Sequence, residues 1–283
     1  MNISSTLSSA AEVLKETGVA DSRREASSLL TFALDKPSAF LVAHPEYELT
    51  ADEVVRFDEF VRRRSSREPF QYITGQQEFY GLEFAVTPDV LIPRPETEIL
   101  VEEAIKELQK LNELKKLAFF EIGVGSGCIS VSILHNVPAA TAVAIDISEK
   151  ALAVAKRNTE RHGVADRLSL RIGDVFGGVT DKFDMIVSNP PYIPDADLTD
   201  MQKEVRDFEP HNALFAGSDG LDVVRRIIGE APENLYPDGL LLMEIGFGQS
   251  EILRDLVDPT IWSKAEFLPD LQGIDRVLKI RLR

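Results

Sequence analysis

Cysteine is almost absent from this sequence, and long apolar runs are absent altogether. Cys128 is the sole cysteine, so the chain cannot form an intramolecular disulfide, and one thiol cannot build a thiolate metal site. No apolar stretch approaches the ~20 residues that a helix needs to cross a bilayer. Residues 1–5 lack the basic segment followed by an apolar core that begins a secretory signal. These features predict a cytoplasmic protein that has no membrane segment and holds no metal.

Positive charge is also scarce. The chain has 31 Lys and Arg residues against 47 Asp and Glu residues, which gives a formal net charge of -16. Such an acidic surface repels phosphate at long range, so we expect no stable binding to nucleic acid. The proportions of hydrophobic residues (44%) and charged residues (28%) are those of a globular protein. A length of 283 residues predicts one large domain, or one of ordinary size with a smaller companion.

The apolar spacing in residues 1–75 predicts a small helical domain, which we expect to recognise the substrate. Asp21 is a candidate helix cap, and Thr50 and Glu53 form a capping-box pattern at the start of another helix. That helix ends in the basic run 62–64, which we expect to be a solvated helix terminus rather than a docking patch. We find no candidate catalytic group in this domain.

Alternating apolar residues around Gly81 predict a β-hairpin linker at 76–95, followed by a domain at 96–283. In that domain strand and helix patterns alternate, which is typical of a parallel sheet with helices on both faces. The last two extended segments should form an antiparallel pair, because the chain between them is too short for a crossover helix. The candidate strands are 117–122, 142–146, 168–172, 185–188 and 240–245, then a segment near Phe267 and finally 276–282.

A glycine-rich segment follows the first candidate strand of this domain. Gly123, Gly125 and Gly127 allow a tight turn, after which a helix presents free amide donors to a ligand. A dinucleotide fingerprint would need its third glycine at the position of Cys128. The pattern, preceded by Glu121, instead resembles motif I of the class I methyltransferases, which bind S-adenosyl-L-methionine (SAM). By itself, such a segment is also compatible with a simple strand-to-helix turn.

Two aspartates follow the next two candidate strands. Asp146 ends the second strand, where a carboxylate can accept hydrogen bonds from both ribose hydroxyls; the alternative role is a helix cap. Asp174 and Val175 follow the third strand, where a carboxylate can receive the adenine amino group and an apolar side chain can contact the ring. The alternative for Asp174 is an ordinary loop aspartate.

The fourth candidate strand leads into Asn189-Pro190-Pro191-Tyr192, here called the reaction motif. Adjacent prolines donate no amide proton and stiffen the chain, which leaves the carbonyls of Asn189 and Pro190 as acceptors for an external N–H group. The Asn189 side chain adds an acceptor, and Tyr192 adds an aromatic face. This combination suits a neutral planar –NH2 group whose lone pair points at a methyl donor, at the sheet edge where ligands bind.

The predicted chemistry needs no strong base. An amide nitrogen is a poor nucleophile, but positioning, desolvation and carbonyl acceptors can assist its in-line attack. His135, His162 and His211 are isolated in the sequence and are expected to be surface or loop residues. The mostly polar residues 195–208 follow the reaction motif and are predicted to form a mobile lid or a loop that faces the substrate.

Nearly the whole chain closely resembles the HemK/PrmC family, the protein-(glutamine-N5) methyltransferases that modify peptide chain release factors. Besides the two motifs, the resemblance rests on 70–75, 91–98, 209–210, 213–215 and 219–221. It implies an α/β fold of the class I SAM-dependent methyltransferases, Rossmann-like with a mostly parallel seven-stranded sheet, and a small N-terminal helical domain. Glu121 stands where the family more often has Asp.

The resemblance also implies a substrate, cofactor and site. The substrate would be the glutamine of the Gly-Gly-Gln motif of a release factor, with SAM as cofactor and S-adenosyl-L-homocysteine as product. The glutamine amide would be bound by Asn189, Pro190, Pro191 and Tyr192, of which Asn189, Pro190 and Tyr192 would be catalytic. The cofactor would be bound by Gly123, Val124, Gly125, Ser126, Gly127, Asp146, Asp174, Val175 and Asn189.

Other functions stay open from the residues alone. A methyltransferase that acts on a glutamine of a ribosomal protein would have the same two motifs. The exocyclic amino group of a nucleic-acid base would also suit the reaction motif, although the net charge and the lack of an evident basic region disfavour base flipping. A SAM-binding module without turnover is a further alternative, and an NAD-dependent dehydrogenase is opposed by Cys128 and the reaction motif.

Overall fold

The computed structural model describes residues 1–111 and 117–283. Its first five helices fall within residues 1–75, where the sequence predicts helices. Apolar side chains from these helices form one buried core that includes Leu14, Leu30 and Phe57. The helices are α1 (Ile3–Glu16), α2 (Ser22–Leu34), α3 (Ser38–Ala43), α4 (Ala51–Ser65) and α5 (Phe70–Thr74).

The predicted helix caps differ in outcome. The capping box of α4 is confirmed, since the Thr50 hydroxyl accepts from the Glu53 amide and the Glu53 carboxylate accepts from the Thr50 amide. The cap role of Asp21 is wrong, because its side chain makes no cap hydrogen bond. Its backbone is left-handed, with φ 47°, whereas a capping side chain reaches the first amides of its helix from an extended backbone.

A β-hairpin is present where the sequence predicts one, but its strands occupy only part of 76–95. Strands β1 (Gln76–Phe79) and β2 (Leu82–Ala85) pair antiparallel through a two-residue turn. Tyr80 and Gly81 both have positive φ, as the common type I′ hairpin turn requires. Residues 86–95 contain no strand, and α6 (Thr97–Leu111) begins two positions after residue 95.

The seven-stranded sheet confirms the predicted fold class. Its spatial order is β5-β4-β3-β6-β7-β9-β8, with every pair parallel except the two that involve β9. The antiparallel closing pair was therefore predicted correctly. The strands are β3 (Leu117–Ile122), β4 (Ala140–Asp146), β5 (Leu168–Ile172), β6 (Phe183–Ser188), β7 (Leu235–Glu244), β8 (Glu266–Pro269) and β9 (Asp275–Arg281).

Helices cover both faces of this sheet. Because side chains alternate along a strand, Phe119 joins the core under α6, α7 (Cys128–Asn136) and α8 (Glu149–Arg161), whereas Phe120 joins the opposite core. The opposite face is covered by α10 (Asp222–Asn234) and α11 (Ser250–Leu256). Within the described part of the chain, no helix combines the length and apolar character needed to span a membrane.

The chain forms two compact units. The helical unit comprises Met1–Gly75 together with Gln202–Phe208, and the sheet unit comprises Gln76–Met201 together with Glu209–Arg283. Residues 195–208, predicted to be a lid or substrate-facing loop, consist of a 3-10 helix (Asp195–Asp200) and α9 (Lys203–Phe208). The mobility of this segment stays a prediction, as does the division into 1–75, 76–95 and 96–283.

The basic end of α4 is solvated at Arg62, whose side chain is 70% exposed, but packed at Arg63 and Arg64, which corrects the sequence-based expectation in part. Arg64 is 8% exposed and donates to the carboxylates of Glu25 and Glu204, at 2.8 Å and 3.1 Å. Arg63 forms an ion pair with Glu68 at 2.5 Å. Glu25 and Glu204 lie 39 and 140 positions from Arg64, so the sequence around α4 gave no sign of them.

Candidate active site

An open cavity of about 160 Å³ lies in the sheet unit, and its lining includes residues that follow β3, β4, β5 and β6. Most of the predicted site residues therefore meet at the carboxyl ends of adjacent parallel strands, where open α/β sheets bind ligands. The predicted residues that line it are Gly123, Val124, Gly125, Ser126, Asp146, Asp174, Val175, Asn189, Pro190 and Pro191. Gly127 and Tyr192 are not among the lining residues.

Gly123 to Gly127, here called the glycine turn, adopts a conformation that its sequence requires. Gly123, Gly125 and Gly127 all have positive φ, between 53° and 83°, which disfavours other residues. Gly127 also ends the turn beneath α8, where an added Cβ would lie 3.3 Å from the Ala155 side chain. The buried Asn158 side chain donates to the Ser126 carbonyl at 2.8 Å and so supports the turn.

Asp146 connects the glycine turn to the start of α8. One carboxylate oxygen accepts from the Gly125 amide and the other from the Ser148 amide, both at 2.9 Å. Ser148 caps α8 by accepting from Ala151, so the alternative that Asp146 is the helix cap is wrong. Burial raises the pKa of Asp146, and the backbone hydrogen bonds oppose this effect. Each oxygen keeps a lone pair for a hydroxyl donor in the cavity.

Asp174 has a more exposed carboxylate than the sequence suggests. It lines the cavity, yet its carboxylate pairs with Arg226 at 2.9 Å and its side chain is 63% exposed. The next residue, Val175, is buried and has φ 51°, a conformation that is rare for a β-branched residue. Such strain often accompanies a binding site. The adenine contact of Asp174 and Val175 stays a prediction.

Glu121 lies buried below the glycine turn. Its Oε2 accepts from the amide of Ser130 at 3.1 Å and from the hydroxyl of the same residue. Its Oε1 has no hydrogen-bond partner among the described residues. Burial raises the pKa of Glu121 to about 8, so the side chain is mostly neutral at pH 7. The extra methylene of Glu, compared with the more usual Asp, is accommodated by this contact with α7.

The reaction motif is held by side chains that sequence reasoning did not assign. Asn189 Nδ2 donates to the hydroxyl of Thr97 at 3.1 Å. The Tyr192 hydroxyl donates to Glu244 Oε1 at 3.3 Å. The Tyr192 carbonyl accepts from Gln249 Nε2 at 3.0 Å. The reaction motif is thus fixed through an α6 residue, the last residue of β7 and the N-cap of α11.

Burial of these groups changes their acid–base properties. Glu244 is 2% exposed, and burial raises its pKa to about 7 against the lowering effects of Thr97 and Tyr192. Burial, followed by the charge of Glu244, raises the pKa of the Tyr192 phenol, which keeps it protonated. The only sequence signal for Glu244 is a carboxylate at the end of the apolar run 240–243.

Arg94 and Glu209 position the segment that precedes α6. Arg94 lines the cavity and donates to Glu209 Oε1 at 2.5 Å. The other oxygen of Glu209 accepts from the Ile92 amide at 3.3 Å. Since Glu209 is buried, it holds both the backbone and the guanidinium of this segment. Arg94 therefore has a defined partner, which the sequence alone did not provide.

The cavity lining includes none of the three histidines that the sequence analysis considered. His135, His162 and His211 are not among the lining residues. In residues 1–111 and 117–283, no group of three or more His, Cys, Asp or Glu side chains is arranged to hold a metal ion. The expectation of a metal-free site stays a prediction. The arrangement offers acceptor atoms in the cavity, and the aromatic side chain of Tyr192 follows the lining residue Pro191.

Comparison with known proteins supports this description of the two units. A family model described as PrmC N-terminal domain matches residues 5–75, and one described as Methyltransferase small domain matches residues 97–205. Release factor glutamine methyltransferase of Geobacter sulfurreducens is 45% identical over 95% of this chain and 93% of its own. The protein of the same name from Koribacter versatilis is 41% identical over 98% of each chain.

Solved structures agree on the fold. The hMettl16 catalytic domain, in complex with an RNA hairpin of the MAT2A 3′UTR, has a TM-score of 0.55 and 16% identity over 80% of this chain and 79% of its own. The T. thermophilus 16S rRNA N2 G1207 methyltransferase, in complex with AdoMet and guanosine, has a TM-score of 0.54 and 17% identity over 74% of this chain and 50% of its own. At such identities the likeness shows the fold alone.

The predicted resemblance is thus confirmed by relatives that match both units. With a PrmC N-terminal domain, a methyltransferase domain and more than 40% identity to these relatives over nearly its whole length, the chain belongs to the release factor glutamine methyltransferase family.

Proposed function

We propose that this protein transfers a methyl group from SAM to the N5 amide nitrogen of the glutamine in the Gly-Gly-Gln motif of a peptide chain release factor. The observation that carries the proposal is identity above 40% over both units to proteins named for this activity. The site supports it, because residues 189–191 of the reaction motif and residues 123–126 of the glycine turn line one cavity. We further propose that it acts in the cytoplasm.

The residues around the cavity fit the cofactor. SAM, when bound, supplies an electrophilic methyl group and leaves as S-adenosyl-L-homocysteine. The glycine turn would face its methionine portion, Asp146 would accept from its ribose hydroxyls, and Asp174 and Val175 would contact its adenine. Asp146 is suited to this because both of its oxygens are already oriented by backbone donors. Asn189 lies between this site and the acceptor.

The reaction motif would hold the acceptor amide. Asn189 Nδ2 is engaged by Thr97, which leaves its Oδ1 to accept one amide N–H, and the Pro190 carbonyl would accept the other. Pro191 and the ring of Tyr192 would pack against the amide plane. Two acceptors draw electron density towards the nitrogen and orient its lone pair, so the rate enhancement comes from positioning and desolvation rather than from a base.

The test is a methylation assay with defined substrates. Purified protein is incubated with methyl-labelled SAM and an unmethylated release factor, and the added methyl is located by peptide mass spectrometry. A second release factor, with the Gly-Gly-Gln glutamine replaced, is the matched control. We expect label on that glutamine and none on the replaced substrate.

Other outcomes would identify other functions. Label on a ribosomal protein or a nucleic acid, with an unlabelled release factor, would keep the methyltransferase and reject the substrate. SAM binding without label in any extract would favour a binding module without turnover. The net charge of -16 supports a protein substrate over a nucleic acid.

A further inference from the structure

We propose that Thr97 and Glu244 are positioning residues that set which end of the Asn189 side-chain amide faces the acceptor. The inference rests on the proposed function and adds to it a reason for the orientation of Asn189. Neither residue needs to touch the reacting atoms. Both would act through Asn189 and Tyr192, the side chains that we place against the acceptor amide.

The orientation of Asn189 matters because its two ends have opposite properties. The Oδ1 end accepts a hydrogen bond and the Nδ2 end donates one. An acceptor –NH2 group needs Oδ1 facing it, since Nδ2 would place donor against donor. In the structure Nδ2 points to the Thr97 hydroxyl, at 3.1 Å. Thr97, which is 2% exposed, thus contacts the Nδ2 end and leaves Oδ1 free for the acceptor.

A hydroxyl group alone cannot make this selection. The Thr97 oxygen can accept from Nδ2, but its proton could equally be donated to Oδ1 of a flipped amide. The Thr97 hydroxyl selects one orientation of Asn189 only when it donates its proton to another acceptor, because its oxygen can then only accept from Nδ2. An ionised Glu244 can be that acceptor, because a carboxylate only accepts hydrogen bonds and donates none.

Glu244 is placed for this role. Its Oε1 accepts from the Tyr192 hydroxyl at 3.3 Å, whereas its buried Oε2 has no hydrogen-bond partner of normal geometry among the described residues. The Thr97 hydroxyl is nevertheless close enough to lower the pKa of this carboxyl group by hydrogen bonding. Oε2 is therefore the free acceptor, and a small rotation of the Thr97 side chain would complete the chain from Glu244 to Asn189.

Tyr192 is held at both of its polar ends. Its hydroxyl donates to Glu244, and its carbonyl accepts from Gln249 Nε2 at 3.0 Å. The other end of the Gln249 amide accepts from the Gly246 amide at 2.8 Å. A Cβ at Gly220 would lie 2.2 Å from the Tyr192 carbonyl oxygen, so the backbone packs closely there as well. One carboxyl group, that of Glu244, thus contacts the aromatic residue and lies beside Thr97, which holds Asn189.

The protonation of Glu244 should then affect turnover. The charged and titratable groups that act on it are Glu96, Arg276, Tyr192 and Cys128, of which Glu96 raises its pKa and Arg276 lowers it. Above about pH 7 the carboxylate accepts from both hydroxyls, and below it the protonated group becomes a donor that competes for Thr97. We expect kcat to fall on the acid side of that value.

The decisive comparison is Thr97→Val against Thr97→Ser. Valine keeps the shape and removes the hydroxyl, so kcat for release factor methylation should fall by roughly 100-fold, the cost of a small misplacement of a reacting group. The KM for the release factor and the Kd for SAM should change by less than about 3-fold, an estimate based on loss of positioning rather than of binding. Serine should restore most of the rate. Equal rates in the two variants would overturn the proposal.

Glu244→Gln provides an independent test. The variant should lose a comparable part of kcat, and its kcat should lose the acid-side decline near pH 7 that the wild-type protein shows. A variant that keeps the wild-type pH profile would overturn the role of Glu244. Thermal melting of each variant checks folding; if Glu244→Gln does not fold, the two Thr97 variants still decide the matter.

Failure of this inference differs from failure of the proposed function. If the wild-type protein methylates the release factor and the Thr97 and Glu244 variants have the same kcat, only the positioning roles are rejected. A wild-type protein that leaves the release factor unmethylated would reject the proposed function, and this inference with it.

Discussion

Asp146 contacts the glycine turn with one carboxylate oxygen and the start of α8 with the other. Replacing it by alanine removes both contacts and the predicted ribose acceptor. Since hydrogen bonds to a charged group contribute about 1.5–3 kcal/mol, Asp146→Ala should weaken SAM binding by about 10- to 100-fold. Isothermal titration calorimetry measures this change. Asp181→Ala, at an exposed ion pair with Arg171, is the control, and an equal loss in both would contradict the role of Asp146.

Glu121 should make stability depend on pH. Its folded-state pKa of about 8 lies above the ordinary value of 4.5, so its stabilising contribution is complete below pH 4.5 and is lost as the pH rises through about 8. Glu121→Gln stays neutral throughout. Relative to the wild type, its free energy of unfolding should therefore rise with pH, by up to about 1.4 kcal/mol per pH unit.

Urea denaturation of both proteins at about pH 5 and about pH 9 measures this difference on either side of the transition. Because every other titrating group is shared, the comparison isolates Glu121. A difference that is the same at both pH values would show that this carboxyl group is not held neutral in the folded protein.

Site residues could be predicted from the sequence where they lie together in one short segment. The glycine turn and the reaction motif are continuous in sequence, so their residue types and their place after a strand were sufficient to bring them to one edge of the sheet. Thr97 and Glu244 were not assigned because they reach the motif from 92 and 52 positions away. Such partners depend on which strands become neighbours, and no local pattern records that.

At the scale of elements, the start of α4 depends on a reciprocal pair of hydrogen bonds between Thr50 and Glu53. Thr50→Ala should lower the free energy of unfolding by about 1 kcal/mol, the usual cost of losing a capping side chain. Urea denaturation measures this value. Asp21→Asn is the matched control, because Asp21 makes no cap hydrogen bond and Asn also tolerates a left-handed backbone. A loss at Asp21 as large as that at Thr50 would contradict the assignment of the caps.

Strand positions followed from apolar patterns, but strand ends did not. The structure begins β7 at Leu235, whereas the pattern begins at Leu240. The intervening residues 236–239 are Tyr-Pro-Asp-Gly, which are typical of a turn. They have no register partner in β6: Leu235 pairs with Phe183 and Leu240 pairs with Met185, so the register shifts across these four residues. This pairing is a property of two strands together, so one strand's sequence could not reveal it.

At the scale of the whole molecule, a segment that follows the reaction motif belongs to the helical unit. Glu204 in α9 accepts from Arg67 Nε and Nη2, at 2.7 Å and 2.6 Å, and from Arg64 Nη1 at 3.1 Å. Its side chain is 15% exposed. The sequence predicted a mobile lid or a loop that faces the substrate, and it gave no sign of this contact because the arginine partners lie about 140 positions earlier.

Removing this carboxylate should loosen α9. Partly buried, charge-assisted hydrogen bonds contribute about 1.5–3 kcal/mol, so Glu204→Ala should speed amide hydrogen exchange in residues 202–208 by about 10- to 100-fold. Asp207→Asn, in the same helix but at an exposed ion pair with its neighbour Arg206, should leave the exchange rate nearly unchanged. Equal effects of the two substitutions would contradict the ion-pair account of α9.

The central claim is that the Asn189–Tyr192 site methylates the release factor glutamine. The most direct measurement is the fraction of release factor that carries one methyl group on its Gly-Gly-Gln glutamine, for wild type and Asn189→Ala at saturating SAM. We predict methylation of that glutamine by the wild type and a rate at least about 100-fold lower for the variant. Methylation of another residue, or an equal rate in Asn189→Ala, would contradict the account.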